Sequence, residues 1–307
     1  MAKIDFKNRD IISIRDFSKK EIMHILKTAK QFKQKPNPNL LKNKILASLF
    51  FEPSTRTRFS FEAAMQRLGG SILSLADPKV SSSVKGESLS DSIKIMEKYC
   101  DVIVMRHSLE GAARLAAEVS CNPVINGGDG ANQHPTQTFL DLFSILETQG
   151  KLSSLNVALN GDLKYGRTTH SLAYALGLFG SRLYFVAPPS LQMPEHVIYE
   201  LKKMKAKFSM HESPDRIMPK LDIFYATRIQ KERFPDPVEY EKVKDLYIIN
   251  KELIKKVKTK FRILHPLPRV NEINYEIDDT PYAYYFEQAK NGLYIREALL
   301  SLVLGEV

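Results

Sequence analysis

Short apolar runs of β type alternate with segments of helical period along the chain, and that alternation limits the fold more than any other feature. The runs are Ile45–Phe51, Asp101–Met105, Pro123–Ile125, Leu155–Leu159, Arg182–Val186, Leu221–Ala226 and Phe261–Leu264. Between them apolar residues recur at i, i+3, i+4 and i+7, the spacing of one helix face. Phe61, Ala64, Met65 and Leu68 make one such stripe, closed by Gly69-Gly70; Phe139, Leu142, Phe143 and Leu146 make a second; Leu172, Ala175, Leu176 and Phe179 make a third, followed by Gly180. Glycine just past a helix suits the left-handed backbone found there. Strands that alternate with helices and carry apolar residues on both faces need cover on both faces. The pattern therefore predicts an α/β protein of two doubly wound parallel-sheet domains.

The helix from Pro135 runs into Thr148-Gln149-Gly150-Lys151, and a new strand–helix series starts at Leu155. This places one domain over residues 1–149 and a second over 150–285. The last helical stretch, about Tyr282 to Leu304, has a pattern that could pack on either half; residues 286–307 are expected on the first. Lysine-rich segments such as Leu201–Lys207 and Lys251–Lys260 read as the solvated faces of further helices.

Composition narrows the function classes. The chain has 307 residues, 43% of them hydrophobic and 26% charged, a balance that suits a packed globular protein and excludes a disordered one. Its two cysteines, Cys100 and Cys121, form no CxxC pair, so a reducing, cytoplasmic setting is expected. No apolar run approaches the roughly 18 residues of a membrane span, and Met1 to Asp10 is too polar for a signal peptide. The formal net charge of +10 suits an acidic partner: nucleic acid, a membrane surface or small anions.

In open parallel sheets ligands bind beyond the carboxyl ends of the strands, so the residues after each strand carry the functional signal. Ile45–Phe51 is followed by Glu52-Pro53-Ser54-Thr55-Arg56-Thr57-Arg58 and a helix. Ser54 reads as an N-cap, and the N–H groups of Thr55, Arg56 and Thr57 have no carbonyl of their own helix to reach. Such a start is an anion cradle without a glycine-rich loop. The next strand ends at Arg106. After Pro123–Ile125 comes the glycine-rich stretch Asn126–Gln133, then His134 at a helix cap, Pro135 at the favoured first position and Gln137 in the first turn. This stretch fits neither GxGxxG nor GxxxxGK[ST]. In the second half Asn160-Gly161-Asp162-Leu163-Lys164-Tyr165-Gly166-Arg167 sets Arg167 near a helix start. Arg228 and Gln230 share one side of an extended segment, and His265-Pro266-Leu267-Pro268-Arg269 makes a turn whose carbonyls stay available as acceptors. Each of these alone is equally well a capped helix or a surface arginine. Strand ends that offer Arg, His or Gln together point to phosphate and carboxylate ligands, for which the guanidinium fork is suited.

These motifs, in this order and over nearly the whole chain, resemble the carbamoyltransferase family and, within it, the aspartate branch. The resemblance rests on Ser54-Thr55-Arg56-Thr57-Arg58, Lys85-Gly86-Glu87, Val104-Met105-Arg106-His107, His134-Pro135-Thr136-Gln137, Asp162–Thr168, Arg228–Arg233 and His265–Arg269. The Ser-Met-Gly loop and His-Cys-Leu-Pro turn of the ornithine branch are not present. The resemblance implies two domains with the active site between them, and carbamoyl transfer from carbamoyl phosphate to L-aspartate, an early step of pyrimidine biosynthesis. It implies phosphate contacts from Ser54, Thr55, Arg56, Thr57 and Arg106, and a hydrogen bond from His134 to the carbonyl oxygen. Gln137 and the Leu267 and Pro268 carbonyls would take the amino group, and Arg167, Arg228 and Gln230 the carboxylates of aspartate. Lys85 and Ser81 would come from a neighbouring subunit of a homotrimer. The loop departs from the family at one point, where Ser81-Ser82-Ser83-Val84-Lys85 replaces a double-lysine pattern. The extra prolines of Phe234-Pro235-Asp236-Pro237 are a second departure. No side chain reads as a nucleophile, no cluster as a metal site, and no cofactor is implied. Glu110–Leu115 resembles catalytic chains that associate with a zinc-bearing regulatory chain in an allosteric holoenzyme; an ordinary amphipathic helix explains it equally well. With small anions as ligands, the basic surplus needs neither nucleic acid nor membrane.

Overall fold

The computed structural model describes residues 4–75, 82–231, 234 and 236–307. Its Cα trace divides into two compact units, Met1–Leu140 with Lys290–Val307, and Asp141–Ala289.

In the first unit four strands pair in parallel: Ile45–Phe50 (β1), Ser71–Leu75 (β2), Val102–His107 (β3) and Val124–Asp129 (β4), in the order β2-β1-β3-β4. The helices of this part of the chain are Lys19–Gln34 (α1), Thr55–Arg67 (α2), Leu89–Met96 (α3), Ala112–Val119 (α4) and Pro135–Gln149 (α5). The composition of β1 explains its central place, since Leu46, Ala47, Leu49 and Phe50 are all fully buried. Ala47 and Leu49 join Ile103, Met105 and Val124 in a core with Ile93 of α3 and Ala112, Ala113 and Ala116 of α4. Alternation turns Ser48 the other way, where its hydroxyl donates to Glu62 of α2 at 3.0 Å. The predicted stripe of α2 is buried throughout, and Gly69 ends it with φ +86°. A Cβ there would lie 2.4 Å from the Pro38 carbonyl oxygen, so the stop is specific to glycine.

The second unit holds Asn156–Asn160 (β5), Arg182–Val186 (β6), Lys207–His211 (β7), Ile223–Ala226 (β8) and Arg262–Leu264 (β9), all parallel, in the order β7-β6-β5-β8-β9. Its helices are Arg167–Leu178 (α6), Glu195–Lys203 (α7) and Pro237–Val243 (α8). Ala158, Val186, Phe224, Ala226 and Ile263 line one face of the sheet, covered by Ile249, Ile254, Ile273 and Ile277 from the loops. The chain returns to the first unit through Tyr285–Val303 (α9). There Arg67 of α2 donates to Glu297 at 2.6 Å, and Arg296 donates to Ser60 at 3.1 Å while lying 5.0 Å from the Phe61 ring centre.

Two strands and one irregular segment depart from the sequence reading. The β2 and β7 strands were not predicted. Both are sheet edges with alternating partial exposure, so Ser71, Ser74, Lys207 and Ser209 dilute the apolar signal. Helix α7 stops at Lys203 rather than reaching Lys207, because Lys205 takes a positive φ and the chain turns into β7. Residues 251–260 form turns, not a helix. The Asn250 side chain accepts the Leu253 N–H at 3.0 Å and Glu276 that of Lys251 at 2.8 Å, but these are first-turn donors; the Lys255 N–H then turns back to the Glu252 carbonyl at 3.3 Å, an i→i−3 contact, and the segment stays a series of turns.

Candidate active site

Both sheets have a topological switch point, where connections leave neighbouring strands in opposite directions. It lies between β1 and β3 in the first sheet and between β5 and β8 in the second. Crevices open at the carboxyl ends of such strand pairs. The residues after β1, β3, β5 and β8 are among those singled out from the sequence; His134 and Gln137 instead follow β4, and His265–Arg269 follow β9.

In the first unit the parallel register sets Phe50 opposite Arg106, and the Phe51 N–H donates to the Arg106 carbonyl at 2.8 Å. This brings Glu52–Thr57 and Arg106 to one rim. Ser54 is the N-cap residue of α2 with an extended backbone, yet its hydroxyl makes no capping bond. The helix thus begins with its N–H dipoles directed outward, the arrangement that binds phosphate elsewhere. Thr57 is buried, whereas Thr55 and Arg56 are exposed. A Cβ on Gly127 would lie 3.6 Å from Thr57 and 3.1 Å from the Met105 carbonyl, so β4 closes tightly on the same cradle. The Arg106 Nε donates to Glu52 at 3.1 Å. Burial holds the His107 imidazole below its ordinary pKa, against the opposing pull of Glu52.

His134 and Gln137 are buried at the start of α5, where the N–H groups of Gln137 and Thr138 donate to the His134 carbonyl at 3.1 and 3.2 Å. Behind them Asp129, 1% exposed, ties the loop: Asn126 Nδ2 and the Gln133 N–H donate to one carboxylate oxygen at 2.9 and 3.0 Å, and the Gly111 N–H and Asn132 Nδ2 to the other at 2.9 and 3.0 Å.

In the second unit Arg167 opens α6 behind Gly166, and Arg228 and Gln230 follow β8 in extended chain, all three half-buried. Asp162 organises both segments. Its carboxylate accepts the Tyr165 N–H at 2.9 Å and, more weakly, the Gln230 N–H at 3.5 Å. Burial raises its pKa, and those backbone donors oppose the rise. Gly161, at φ +109°, lets Thr227 approach so closely that a Cβ would meet the Thr227 carbonyl oxygen at 2.2 Å.

The Leu267–Pro268 turn, a cis peptide, rests on a buried polar chain. The Leu267 N–H donates to His265 Nδ1 at 2.8 Å, and His265 Nε2 lies 2.7 Å from Glu272. An Nδ1 that accepts must be unprotonated, so His265 is the neutral tautomer with its proton on Nε2. Burial raises the Glu272 carboxyl, but the His265 bond and backbone donors outweigh it and hold the pKa below the ordinary value. The His265 N–H donates to Gln288, which donates to Asp141, whose other oxygen accepts from Tyr225.

Lys85 is exposed at the end of the 3-10 turn Ser82–Lys85. Ser81 lies outside the described residues, as do Glu232, Arg233 and Pro235. Among the described residues no cluster of His, Cys, Asp or Glu could hold a metal ion, and no helix is long and apolar enough to cross a membrane. The supporting residues Glu52, Asp129 and Glu272 had been assigned no role from the sequence. Glu52 was within reach, since it directly follows β1; Glu272 and Gln288 act across 7 and 23 residues, a separation that no spacing rule reveals.

Residues 9–147 match the carbamoyl-phosphate-binding domain model of the aspartate/ornithine carbamoyltransferases, and residues 153–303 match their aspartate/ornithine-binding domain model. An aspartate carbamoyltransferase catalytic subunit from Shewanella halifaxensis is 58% identical over 298 residues, 97% of this chain and 96% of that one. The solved catalytic subunit of M. jannaschii aspartate transcarbamoylase is 50% identical with a TM-score of 0.90, covering 97% of this chain and 98% of that one. The Trypanosoma cruzi aspartate transcarbamoylase, solved with carbamoyl aspartate and phosphate, is 37% identical with a TM-score of 0.92 over 99% of both chains. The chain belongs to the aspartate/ornithine carbamoyltransferase family, on its aspartate carbamoyltransferase side.

Proposed function

We propose that the chain transfers the carbamoyl group of carbamoyl phosphate to the amine of L-aspartate, giving N-carbamoyl-L-aspartate and phosphate. The observation that carries this reading is that each sheet has its own switch point with anion-binding groups after it: a helix-start cradle at α2 after β1 in one sheet, and Arg167, Arg228 and Gln230 after β5 and β8 in the other. Residues 1–149 then serve carbamoyl phosphate and residues 150–285 aspartate. Ser54, Thr55, Arg56, Thr57 and Arg106 take the phosphate, and His134 donates to the carbamoyl oxygen. Gln137 and the carbonyls of Leu267 and Pro268 hold the carbamoyl NH2. Arg167, Arg228 and Gln230 take the two carboxylates of aspartate, each a charge-assisted contact.

The amine nitrogen attacks the carbamoyl carbon, and negative charge builds on the carbonyl oxygen, where Arg56, Thr57 and His134 stabilise it. The carbon–oxygen bond to phosphate breaks with its electron pair on the leaving group, and the leaving phosphate takes the proton shed by the amine. No side chain need act as nucleophile; positioning and electrostatics supply the acceleration. Lys85 and Ser81 complete the site of a neighbouring subunit, so the active unit is a homotrimer. The step belongs to pyrimidine biosynthesis in the cytoplasm, and the segment Glu110–Leu115 offers a surface for a zinc-bearing regulatory chain.

Substrate saturation of two variants tests the assignment. Arg106→Ala should raise the carbamoyl phosphate requirement and Arg228→Ala the aspartate requirement, each by roughly 10–100-fold for a lost charged hydrogen bond. An Arg228→Ala variant that loses carbamoyl phosphate affinity instead would overturn it.

A further inference from the structure

We infer that Asp129 is the positioning residue for His134, an inference that rests on the role just proposed for that histidine. The backbone is tied down on both sides of His134. On the far side the first turn of α5 holds its carbonyl. On the near side Gln133 is held through its backbone and its side chain. Its N–H donates to Asp129 Oδ1 at 3.0 Å, its carbonyl accepts the Asp129 N–H at 3.2 Å, and its side-chain oxygen accepts from the Ser13 hydroxyl at 3.1 Å. Asp129 is held in turn by Asn126 Nδ2 at 2.9 Å, and Asn126 by the Ile12 carbonyl at 3.0 Å. Its second oxygen holds Asn132 and the Gly111 N–H ahead of α4. Four donors converge on a carboxylate that is 1% exposed. Only an acceptor on both oxygens satisfies them: an asparagine presents an NH2 group to two donors whichever way it is turned. The geometry is stiff because every donor is spoken for, and displacement of this loop moves the His134 ring relative to the carbamoyl oxygen.

A double-mutant cycle on the full-length protein tests this. His134→Ala alone should lose about 10²–10³-fold in kcat, the usual loss for one oxyanion donor. Asp129→Asn should lose about 10–10²-fold in kcat with both KM values within about threefold, since a misplacement near 1 Å suffices for such a loss. The deciding result is the double variant. If Asp129 acts through His134, Asp129→Asn costs nothing further in the His134→Ala background; if the two losses multiply, Asp129 is merely structural and the inference fails. Should Asp129→Asn not fold, Ser13→Ala loosens Gln133 more gently: its smaller loss in kcat must likewise vanish in the His134→Ala background, and its persistence there overturns the inference. A parent protein without carbamoyl transfer would refute the proposed function instead, so the two failures are distinguishable.

Discussion

Gly161→Ala offers a sharp test of how the second unit builds its anion site. An alanine Cβ at this position would sit 2.2 Å from the Thr227 carbonyl oxygen and 2.8 Å from its hydroxyl. Real Cβ atoms essentially never come within 3.0 Å of such a neighbour, so the Thr227 backbone must withdraw by about 0.8 Å. It cannot withdraw freely, because the Thr227 N–H and hydroxyl both donate to the Asn160 carbonyl, at 2.9 and 3.1 Å. The displacement passes to the next residues, Arg228 to Gln230. The φ of +109° adds backbone strain of about 1–3 kcal/mol. A shift near 1 Å in a binding group costs up to about 10²-fold, so kcat/KM for aspartate should fall by about 10–10²-fold. The KM for carbamoyl phosphate, bound by the other unit, should stay within about twofold on the same geometric reasoning. Gly150→Ala is the control: it has a similar left-handed φ of +74° but open space around its Cβ. It should cost about 1 kcal/mol of stability and leave both kinetic parameters alone. If Gly161→Ala keeps the parent kcat/KM for aspartate, the coupling from Gly161 to Arg228 is refuted.

Three further outcomes follow from buried groups. Phe61→Ala, at a fully buried position of α2, should lower unfolding stability by about 3–5 kcal/mol in a denaturant titration; a loss below about 1 kcal/mol would contradict the packing described. Glu272 has a folded pKa below its unfolded value, so its contribution is fully present above the unfolded value and disappears as pH falls through the folded one. Glu272→Gln should therefore flatten the acid limb of Tm against pH, and an unchanged limb would exclude a Glu272 carboxylate held ionised by the His265 bond and the backbone donors. Glu297 is the opposite case, its pKa raised by burial despite Arg67. Arg67→Ala should raise it further, so that stability falls more steeply as pH climbs from the carboxylate range toward neutrality; a parallel pH profile would argue against it.

Much of the fold was legible because parallel strands covered on both faces leave uninterrupted apolar runs. Val102–Met105 and Leu183–Val186 carry the signal in their own residues. The edge strands β2 and β7 were not legible, since their exposed positions tolerate Ser and Lys. The helix expected at 251–260 shows a different limit. Its apolar spacing serves packing under the loop, with Ile254 buried, while the Lys255 N–H turns back to the Glu252 carbonyl and the segment stays a series of turns. At the candidate site, the residues proposed to face a ligand follow strand ends, and position in the sequence is what singles them out. The residues that hold them could not, because Asp129 works through Gly111 and Gln288 through Asp141, contacts made only once the chain has folded.

The central claim is the reaction itself. Purified protein incubated with carbamoyl phosphate and L-aspartate should release phosphate and N-carbamoyl-L-aspartate in equal amounts, with no product from L-ornithine. Turnover of ornithine with none on aspartate would contradict the account.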